Sequence, residues 1–507
     1  MSAYKIILAQ SANRCQGFAG GASAGGGARK PRCRAESDRM FLTKCGICGM
    51  IAKQEGCTMR RTRRWMAAAA AAVWLLRSGV PVWAVTSAQQ HAAELTRAQE
   101  NGWFSDGTGR TFRAGDALTR GRFFSALAAL DGASLPAVGR VFADVPSSHP
   151  DARAIAWAVT SGLASGTGGG NFSPERRLTR EQLAEVLIAY ANYSGTVLPR
   201  RRAVVPFSDQ EHCSDRGLDT LVTLYRAGVF DTAGQAIRPR ETVTCGDGAV
   251  ILCRYQDLCA RKCPQKEQGM LISHKGDCVN APENTLPAFE LSDEKGFIYV
   301  EADIRFTRDG VPVLLHDPTI DRTSNGSGRV AEMTWEQLRP YDFSAGKAEY
   351  SATQIPAFSA FLQLCAKRYL HPFIELKGRM SGQQMTKLLA AVSRCGMTQH
   401  VTWISVDDSN LRRIRLIQPA AELGVLCSYP DEERIRRAQR LKNRKNRVYL
   451  CAKYNNVTDA VRAQCLRAGV SLEVWTVRDR STAVRQLNTS AVGITVDGLT
   501  AQDIYRG

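Results

Sequence analysis

Acidic side chains recur in the C-terminal half of the chain at spacings that suit phosphodiester chemistry. Glu301 and Asp303 follow the apolar run 297–300, and residues two apart on a strand project to the same face. Two such carboxylates repel each other unless a cation lies between them, and oxygen ligands favour Ca²⁺ or Mg²⁺ over zinc. Glu375 and Lys377 repeat this spacing after another apolar run. One of this second pair is able to complete the metal ligands while the other meets a phosphate oxygen.

Two histidines are candidates for the acid–base groups. The turn 307–310 is too short for a crossover helix, so the run 311–315 must return antiparallel as a hairpin. That hairpin ends at His316, which Asp317 follows, and His274 stands after another apolar run. Because the unperturbed pKa of histidine is the nearest to neutrality, two histidines flanking a phosphodiester are able to serve as general base and general acid.

A scaffold must bring these strand ends together. Eight short apolar runs alternate with helical segments such as 384–393 and 409–416. A (β/α)₈ TIM barrel of about 250 residues has this organisation and builds its active site at the C-terminal ends of its strands. The Gly-, Ser- and Thr-rich excursion 318–356 is expected to lie over that site. The predicted parallel strands are 270–273, 298–303, 373–376, 402–405, 424–427, 448–451, 471–477 and 492–495.

The ordered set of motifs resembles the glycerophosphodiester phosphodiesterase family, over about residues 269–507. The family has a phospholipase-C-like α/β barrel, and its motifs are a histidine-arginine-glycine, a PENT box, an acidic pair, a His-Asp and a Glu-x-Lys. The matching segments are His274-Lys275-Gly276, Pro282-Glu283-Asn284-Thr285, Glu301-Ala302-Asp303, His316-Asp317 and Glu375-Leu376-Lys377.

The resemblance implies a role for each of five residues. Glu301, Asp303 and Glu375 would bind one divalent cation, Ca²⁺ or Mg²⁺, and His274 and His316 would be the acid–base pair. In that family a glycerol hydroxyl is thought to attack the phosphorus. The resulting cyclic phosphate is opened by water to give glycerol 3-phosphate and a free alcohol.

The resemblance also implies substrate contacts. Lys275, Asn284 and Lys377 would hold phosphate and glycerol oxygens, and Glu283 and Trp475 are assigned to the same substrate-binding set. Lys275 is a departure, because the family has arginine after the first histidine. Lysine keeps the charge but lacks the bidentate fork of arginine.

An internal repeat with a period of about 60 to 65 residues precedes the barrel. Phe142-Ala143-Asp144 recurs as Phe207-Ser208-Asp209, and Leu118-Thr119-Arg120 recurs as Leu178-Thr179-Arg180 and, degraded, as Val243-Thr244-Cys245. A helix is expected to start at each threonine, which is a natural N-cap. The pattern resembles tandem, all-α S-layer homology domains, which bind anionic secondary cell-wall polysaccharide.

Two arginines of the repeats are candidates for contact with that polymer. Arg120 and Arg180 stand at predicted helix N-termini, where anions are favoured. The alternative, in which each arginine caps or packs locally, stays open. Cys245 replaces the arginine in the third unit. The predicted units are 88–135 (partial), 138–197 and 203–260 (degraded).

The N-terminus indicates the compartment. Residues 59–84 have the order of a secretory signal peptide, with four arginines within 60–64, an apolar run at 65–76 and a small residue at the cleavage point. Arg77 interrupts the run before the ~20 residues that a membrane span needs, so no transmembrane span is expected in the mature chain. Residues 1–58 are expected to be a non-native or disordered extension.

The balance of charge completes the functional hypothesis. The formal net charge is +19, yet no aromatic–basic platform or recognition helix points to nucleic acid. The sequence therefore predicts a secreted, wall-anchored glycerophosphodiester phosphodiesterase at the cell surface. Two alternatives stay open. One is a related barrel phospholipase that cleaves a phosphatidyl or sphingolipid head group, and the other is a non-catalytic wall-binding protein.

Overall fold

The structure of the protein is a computed structural model, and it describes residues 91–104, 112–137, 142–443 and 446–505. The predicted signal peptide and the extension before it lie outside the described residues. None of the helices in the described ranges combines the length and the apolar character that a membrane crossing requires.

Eight parallel strands close into a barrel, as the sequence predicts. The first strand pairs with both the second and the last, and each remaining pair is parallel. A ninth, short strand is antiparallel to the second. The strands are β1 (Met270–Ser273), β2 (Tyr299–Phe306), β3 (Pro312–Leu314), β4 (His371–Leu376), β5 (Thr402–Ser405), β6 (Glu422–Cys427), β7 (Val448–Lys453), β8 (Ser471–Val477) and β9 (Gly493–Val496).

The predicted hairpin is present, but its first strand, β2, ends later than the sequence predicts. Strand β2 continues three residues beyond the predicted end at Asp303, because Ile304 and Phe306 pair with Leu314 and Pro312 of β3. The chain thereby leaves the barrel, turns, and returns to its rim just before His316.

Helices cover the outside of the barrel and bury the outward faces of its strands. Buried aliphatic and aromatic side chains such as Ile304, Leu376 and Trp403 form this outer core, while Ile272 and Phe373 belong to a separate inner cluster. The helices of this part of the chain are Leu286–Glu294, Trp335–Leu338, Phe358–Arg368, Gly382–Arg394, Asp408–Ile417, Glu432–Arg440, Asp459–Ala468, Arg480–Leu487 and Ala501–Tyr505.

Six helices precede the barrel within the described ranges. The side chains of Thr119, Thr179 and Thr244 each accept a hydrogen bond from the backbone three residues later, so each threonine caps the helix that follows it. The helices are α1 (Ala92–Glu100), α2 (Arg120–Asp131), α3 (Ala152–Thr160), α4 (Arg180–Tyr193), α5 (Asp215–Ala227) and α6 (Cys245–Cys259).

Backbone hydrogen bonds join the three capped helices in a ring. The N–H of Leu178 donates to the carbonyl of Leu118 (3.0 Å), that of Val243 donates to Leu178 (2.9 Å), and that of Leu118 donates to Val243 (3.0 Å). These residues occupy the same position in each repeat of the sequence. The period of the sequence therefore corresponds to a threefold, closed arrangement of the chain.

The repeated aspartates explain a second part of the pattern. The Asp144 carboxylate accepts backbone hydrogen bonds from Phe172 and Ser173, and Asp209 does the same for Ile237 and Arg238 at 2.9 and 2.7 Å. Ser173 and Arg238 both have φ near +55 to +59°. Each aspartate thus fixes a strained turn just before the next helix.

The repeats pack against the N-terminal end of the barrel. Asp219 on α5 is buried and accepts a hydrogen bond from the N–H of Ser490 (2.8 Å). Asn488 bonds to Asn192, and the Arg200 guanidinium donates to the carbonyl of Ala491 (2.6 Å), just before β9 begins. These contacts lie near the start of β9, at the end of the barrel opposite the C-terminal ends of the parallel strands.

Candidate active site

Three carboxylates meet at the C-terminal end of the barrel. Glu301 and Asp303 lie on the same face of β2, and Asp303 is directly opposite Glu375 of β4 in the strand register. One oxygen from each of the three lies within 4.8 Å of the others, and Glu301 and Asp303 are almost completely buried. The side chains that the sequence assigns to one metal site are therefore brought together.

The three carboxylates repel one another, and the nearby cations offset only part of this repulsion. Burial raises the pKa of Glu301 well above its usual value, and the neighbouring charges of Asp303 and Glu375 add to this effect. Burial and Asp303 likewise raise the pKa of Glu375. An all-oxygen donor set of this kind fits a hard divalent cation, so these residues are candidate metal ligands.

Lys377 lies among the same carboxylates. Its Nζ is 2.9 Å from Asp303 Oδ1 and 2.7 Å from Glu375 Oε1. Burial works to raise the pKa of Asp303, but the charges of Lys377, His316 and Lys275 outweigh it and lower that pKa to about 2. The lysine thus offsets part of the repulsion and holds Asp303 ionised.

Asn284 fixes Asp303 from the other side. Its Nδ2 donates to the Asp303 carboxylate (2.8 Å), and its Oδ1 accepts from the Asp303 backbone N–H (3.0 Å). Asn284 has φ of +57°, in the left-handed region that asparagine tolerates better than most residues. Both of these side-chain hydrogen bonds go to Asp303, one to its carboxylate and one to its backbone.

The hairpin delivers His316 to the cavity. Its Nδ1 is 2.6 Å from Asp317 Oδ1, and the Arg305 guanidinium donates to its backbone carbonyl at 2.9 and 2.7 Å. Since a carboxylate accepts, Nδ1 carries the proton and Nε2 is left for another partner. Burial lowers the pKa of His316 below its usual 6.5, although nearby Asp303 opposes this.

His274 has its own carboxylate partner. Its Nδ1 is 2.8 Å from Asp497 Oδ1, and its Nε2 is 4.0 Å from Glu301. The second oxygen of Asp497 accepts from Arg478 (2.9 Å), and the thiol of Cys278 lies 3.4 Å from the first. Asp497 therefore orients the imidazole with Nε2 toward the carboxylates.

Glu283, which the resemblance assigns to substrate binding, contacts basic side chains of the protein. Both of its oxygens accept from Arg322 at 2.8 Å, and Lys275 Nζ lies 3.3 Å away. Arg322 also donates to Asp317 (2.6 Å). The excursion after the hairpin is thus tied both to the PENT segment and to the carboxylate that orients His316.

A cavity of about 370 Å³ opens between the two histidines. Trp475 lines it, together with Lys377 and two of the three carboxylates, whereas Lys275, Glu283 and Asn284 are not among its walls. The lining residues are His274, Glu301, His316, Phe373, Glu375, Lys377, Ile404, Val406, Leu426, Cys427, Ser428, Glu473, Trp475, Thr476, Arg478 and Thr495.

Sequence reasoning missed several members of the site. Asp497 was given no role from the sequence, and nothing in the spacing indicated that it would meet His274, 223 positions away. Arg322 lies in the excursion, where the only signal was an isolated basic residue. Glu473 is two residues before Trp475 on β8, so the alternation of a strand would have placed both on the inner face.

The two arginines of the repeats are engaged in packing between the repeats. Arg180 is 9% exposed and donates to the carbonyls of Ile237 (2.9 Å) and Asp231 (2.7 Å). Arg120 is half-buried and donates to Phe172 and Ser165 in the same manner. Each guanidinium therefore contacts the next repeat, which is the local packing that the alternative describes. The side chain of Arg120 is more exposed to solvent than that of Arg180.

Comparison with known proteins identifies two kinds of domain. Residues 274–500 match the glycerophosphoryl diester phosphodiesterase family, and residues 141–184 match the S-layer homology domain. The chain is 28% identical over 232 residues to a glycerophosphodiester phosphodiesterase of Caldanaerobacter subterraneus subsp. tengcongensis, covering 45% of this chain and 93% of that protein.

A second set of relatives is matched over a shorter stretch. The chain is 42% identical over 110 residues to glycerophosphodiester phosphodiesterase 1 of Mus musculus, which is 21% of this chain and about a third of the mouse protein. Among solved structures, a phosphodiesterase of Oleispira antarctica in complex with the product sn-glycerol-3-phosphate has 23% identity and a TM-score of 0.41, over 45% of this chain and 93% of that one.

Proposed function

We propose that this chain, which carries a domain of the glycerophosphoryl diester phosphodiesterase family and an S-layer homology domain, hydrolyses glycerophosphodiesters to sn-glycerol 3-phosphate and an alcohol. The relatives with that name support the activity. We further propose that the enzyme is exported and held at the cell surface by its repeats.

The observation that carries the proposal is the meeting of three carboxylates and two histidines at one cavity. Glu301 and Glu375 line it, and His274 and His316 line it as well, each with a carboxylate on its Nδ1. A phosphodiester in this cavity would lie between two imidazoles whose Nε2 atoms are available. This arrangement suits general acid–base catalysis.

We assign each residue one task in the reaction. His316, whose pKa is lowered by burial, accepts the proton of the attacking glycerol hydroxyl. As the oxygen bonds to phosphorus, the bond to the alcohol breaks and His274 donates a proton to the leaving oxygen. Water then attacks the cyclic phosphate and gives a proton to His274, while His316 returns its proton to the glycerol oxygen, so that glycerol 3-phosphate is released and both histidines are restored.

The carboxylates would hold one Ca²⁺ or Mg²⁺, with Glu301, Asp303 and Glu375 as ligands. When bound, the cation supplies electrostatic stabilisation for charge on the phosphoryl oxygens. Lys377 lies beside the same group, where its ammonium is able to contact a phosphate oxygen. Trp475 bounds the cavity and shapes the space for the substrate.

The test is the release of glycerol 3-phosphate from glycerophosphocholine by the purified full-length protein. We expect activity with Ca²⁺ or Mg²⁺, none with EDTA, and none in His316→Ala. His400→Ala, at an exposed histidine on the opposite side of the barrel, is the matched control and should retain activity. Release of phosphocholine instead would favour the phospholipase alternative, and no release of either product would contradict the enzyme.

The repeats support a second, separate proposal of wall attachment. Arg120 and Arg176 lie close enough that the charge of Arg176 contributes to lowering the pKa of Arg120, after burial. This basic surface, where the first repeat meets the second, is where we propose contact with an anionic wall polysaccharide. Arg180 is proposed to contribute mainly by holding the turn of the next repeat.

Co-sedimentation with purified cell walls tests the attachment. We expect the full-length protein to bind walls that retain their acidic polysaccharide and to lose binding when it is removed with hydrofluoric acid. Arg120→Ala combined with Arg176→Ala should weaken binding, whereas the exposed barrel arginine variant Arg394→Ala should not. Equal sedimentation with stripped walls would contradict the proposal.

A further inference from the structure

A fourth carboxyl group lies in the wall of the active-site cavity, apart from the three candidate metal ligands. Glu473 is on β8, is 2% exposed, and borders the cavity. It does not belong to the group formed by Glu301, Asp303 and Glu375. The reaction assigned above does not use it.

Glu473 has polar partners but no cationic one. The Thr495 hydroxyl donates to its Oε1 at 2.6 Å, and the Cys451 thiol is a second hydrogen-bond partner. Among the residues that the structure describes, it takes part in no ion pair. A buried carboxylate without a counter-charge is costly, and burial raises the pKa of this one to about 7.

The surfaces around Glu473 are aromatic and apolar. Trp475 lies two residues further along β8 and lines the cavity together with Glu473, and Phe373 and Leu426 are further apolar residues of the cavity wall. The indole Nε1 of Trp475 is buried without a hydrogen-bond partner among the described residues. An unpaired carboxylate beside an aromatic ring is the combination that attracts an organic ammonium group.

The opposite part of the cavity has the reverse character. Lys377 follows β4, which is four strands from β8 around the barrel, and its ammonium offers donors for a phosphate there. His316 follows the hairpin beside β2, on the same side. The cavity therefore presents the catalytic groups with Lys377 at one side and, on β8, a separate carboxylate beside an aromatic ring. A ligand that fits both sides carries a phosphodiester and a positive charge in the same small molecule.

We infer that Glu473 is a specificity-determining residue that, with Trp475, receives the ammonium group of a cationic leaving alcohol, such as choline or ethanolamine. This inference rests on the proposed function and narrows its substrate class. Binding of the ammonium would supply the counter-charge that the carboxylate lacks. Esters with a neutral leaving alcohol, such as glycerophosphoglycerol, would lack this contact.

The experiment compares two substrates in the full-length enzyme. We expect kcat/KM to favour glycerophosphocholine over glycerophosphoglycerol, and Glu473→Gln to reduce the ratio of the two values at least tenfold. The amide is nearly isosteric and can still accept from Thr495, so the variant should fold. An unchanged ratio, or an equal loss on both substrates, would overturn the assignment.

Glu422→Gln is the matched control. Glu422 begins β6, at the other end of the barrel, where its carboxylate accepts from the Tyr449 hydroxyl (2.9 Å). It is not part of the cavity wall, so the substrate ratio should not change. A change as large as that in Glu473→Gln would contradict a local contact and overturn the inference.

A binding measurement separates this inference from the proposed function. Choline should bind the wild-type protein and bind Glu473→Gln at least tenfold more weakly, as followed by the NMR signal of its methyl groups. If neither ester is hydrolysed, the proposed function fails. Choline binding still supports the Glu473 site in that case, and equal binding by the two proteins overturns it.

Discussion

Buried charges are satisfied differently in the repeats and at the mouth of the barrel. In the repeats, the Arg180 guanidinium donates to two backbone carbonyls, and Asp209 accepts from two backbone N–H groups. At the mouth, Glu301 and Glu375 lie near each other and near Asp303, and Lys377 is the cation that contacts two of the three. Glu473 has no cation at all among its partners.

Charged groups that are fully hydrogen-bonded within the protein, as in the repeats, stabilise the fold. Carboxylates that lack enough cationic partners, as at the mouth of the barrel, are able to bind a ligand. Hydrogen bonds to charged groups stabilise a fold when both partners are satisfied inside the protein. Carboxylates gathered without sufficient cations cost stability and retain their capacity for a metal or a substrate. Substitutions in the repeats should therefore lower mainly stability, and substitutions at the mouth of the barrel should lower mainly activity.

The largest effect is expected from Glu301→Gln. Loss of one carboxylate ligand should reduce kcat/KM by about 10³-fold, because the electrostatic help of a bound cation is worth several kcal/mol. The melting temperature measured in EDTA should not fall, since the amide removes a repulsive charge and can still accept from the N–H of Lys275. A large drop in stability with activity retained would break the comparison.

The next effect concerns the pH dependence of stability. Folding raises the pKa of Glu473 from 4.5 to about 7, so between these values the folded state holds a proton that the unfolded state has released. The free energy of unfolding therefore falls as pH rises through this window, by about 3 kcal/mol for this group. Glu473→Gln should lack this fall, as measured by urea unfolding at pH 5 and pH 8 without ligand.

An intermediate effect is expected in the repeats. Arg180→Ala leaves the buried carbonyl of Ile237 and the partly buried carbonyl of Asp231 without this donor and should lower the free energy of unfolding by about 2 kcal/mol. The kcat of the folded enzyme should not change. Arg177→Ala, three residues earlier and exposed, is the control and should leave stability within error. Equal stability of the two variants would remove the contrast between the regions.

The smallest effect is expected from Arg322→Gln. This arginine fixes Asp317, which orients His316, so its loss should lower kcat by about tenfold and shift the pH profile of kcat, with little change in melting temperature. Arg329→Gln, in the same excursion and paired only with the exposed Glu332, should leave both unchanged. Identical pH profiles for the two variants would assign Arg322 to the fold alone.

The sequence allowed the barrel, the hairpin and the carboxylate pair to be predicted because local rules determine them. Alternation places Glu301 and Asp303 on one face, and a short turn forces the strand that ends at His316 to be antiparallel. The end of β2 was placed too early, because its last residues depend on pairing with β3 rather than on their own pattern.

Contacts between distant segments could not be predicted in this way. His274 and Asp497 are 223 positions apart, and Glu283 meets Arg322 only because the excursion folds back over the rim. The position of Arg180 at a helix N-terminus suggested an anion site. In the structure, carbonyls of the next repeat accept from its guanidinium. This contact depends on how the repeats pack together, which the local sequence pattern does not determine.

The attachment of the repeats at the N-terminal end of the barrel determines what a tethered enzyme can reach. Asp219 and Arg200 join the two parts through buried hydrogen bonds to the segment before β9 rather than through a free linker. A surface bound by the repeats would therefore hold the catalytic opening in one fixed orientation, and substrates would have to approach from the side on which that opening faces.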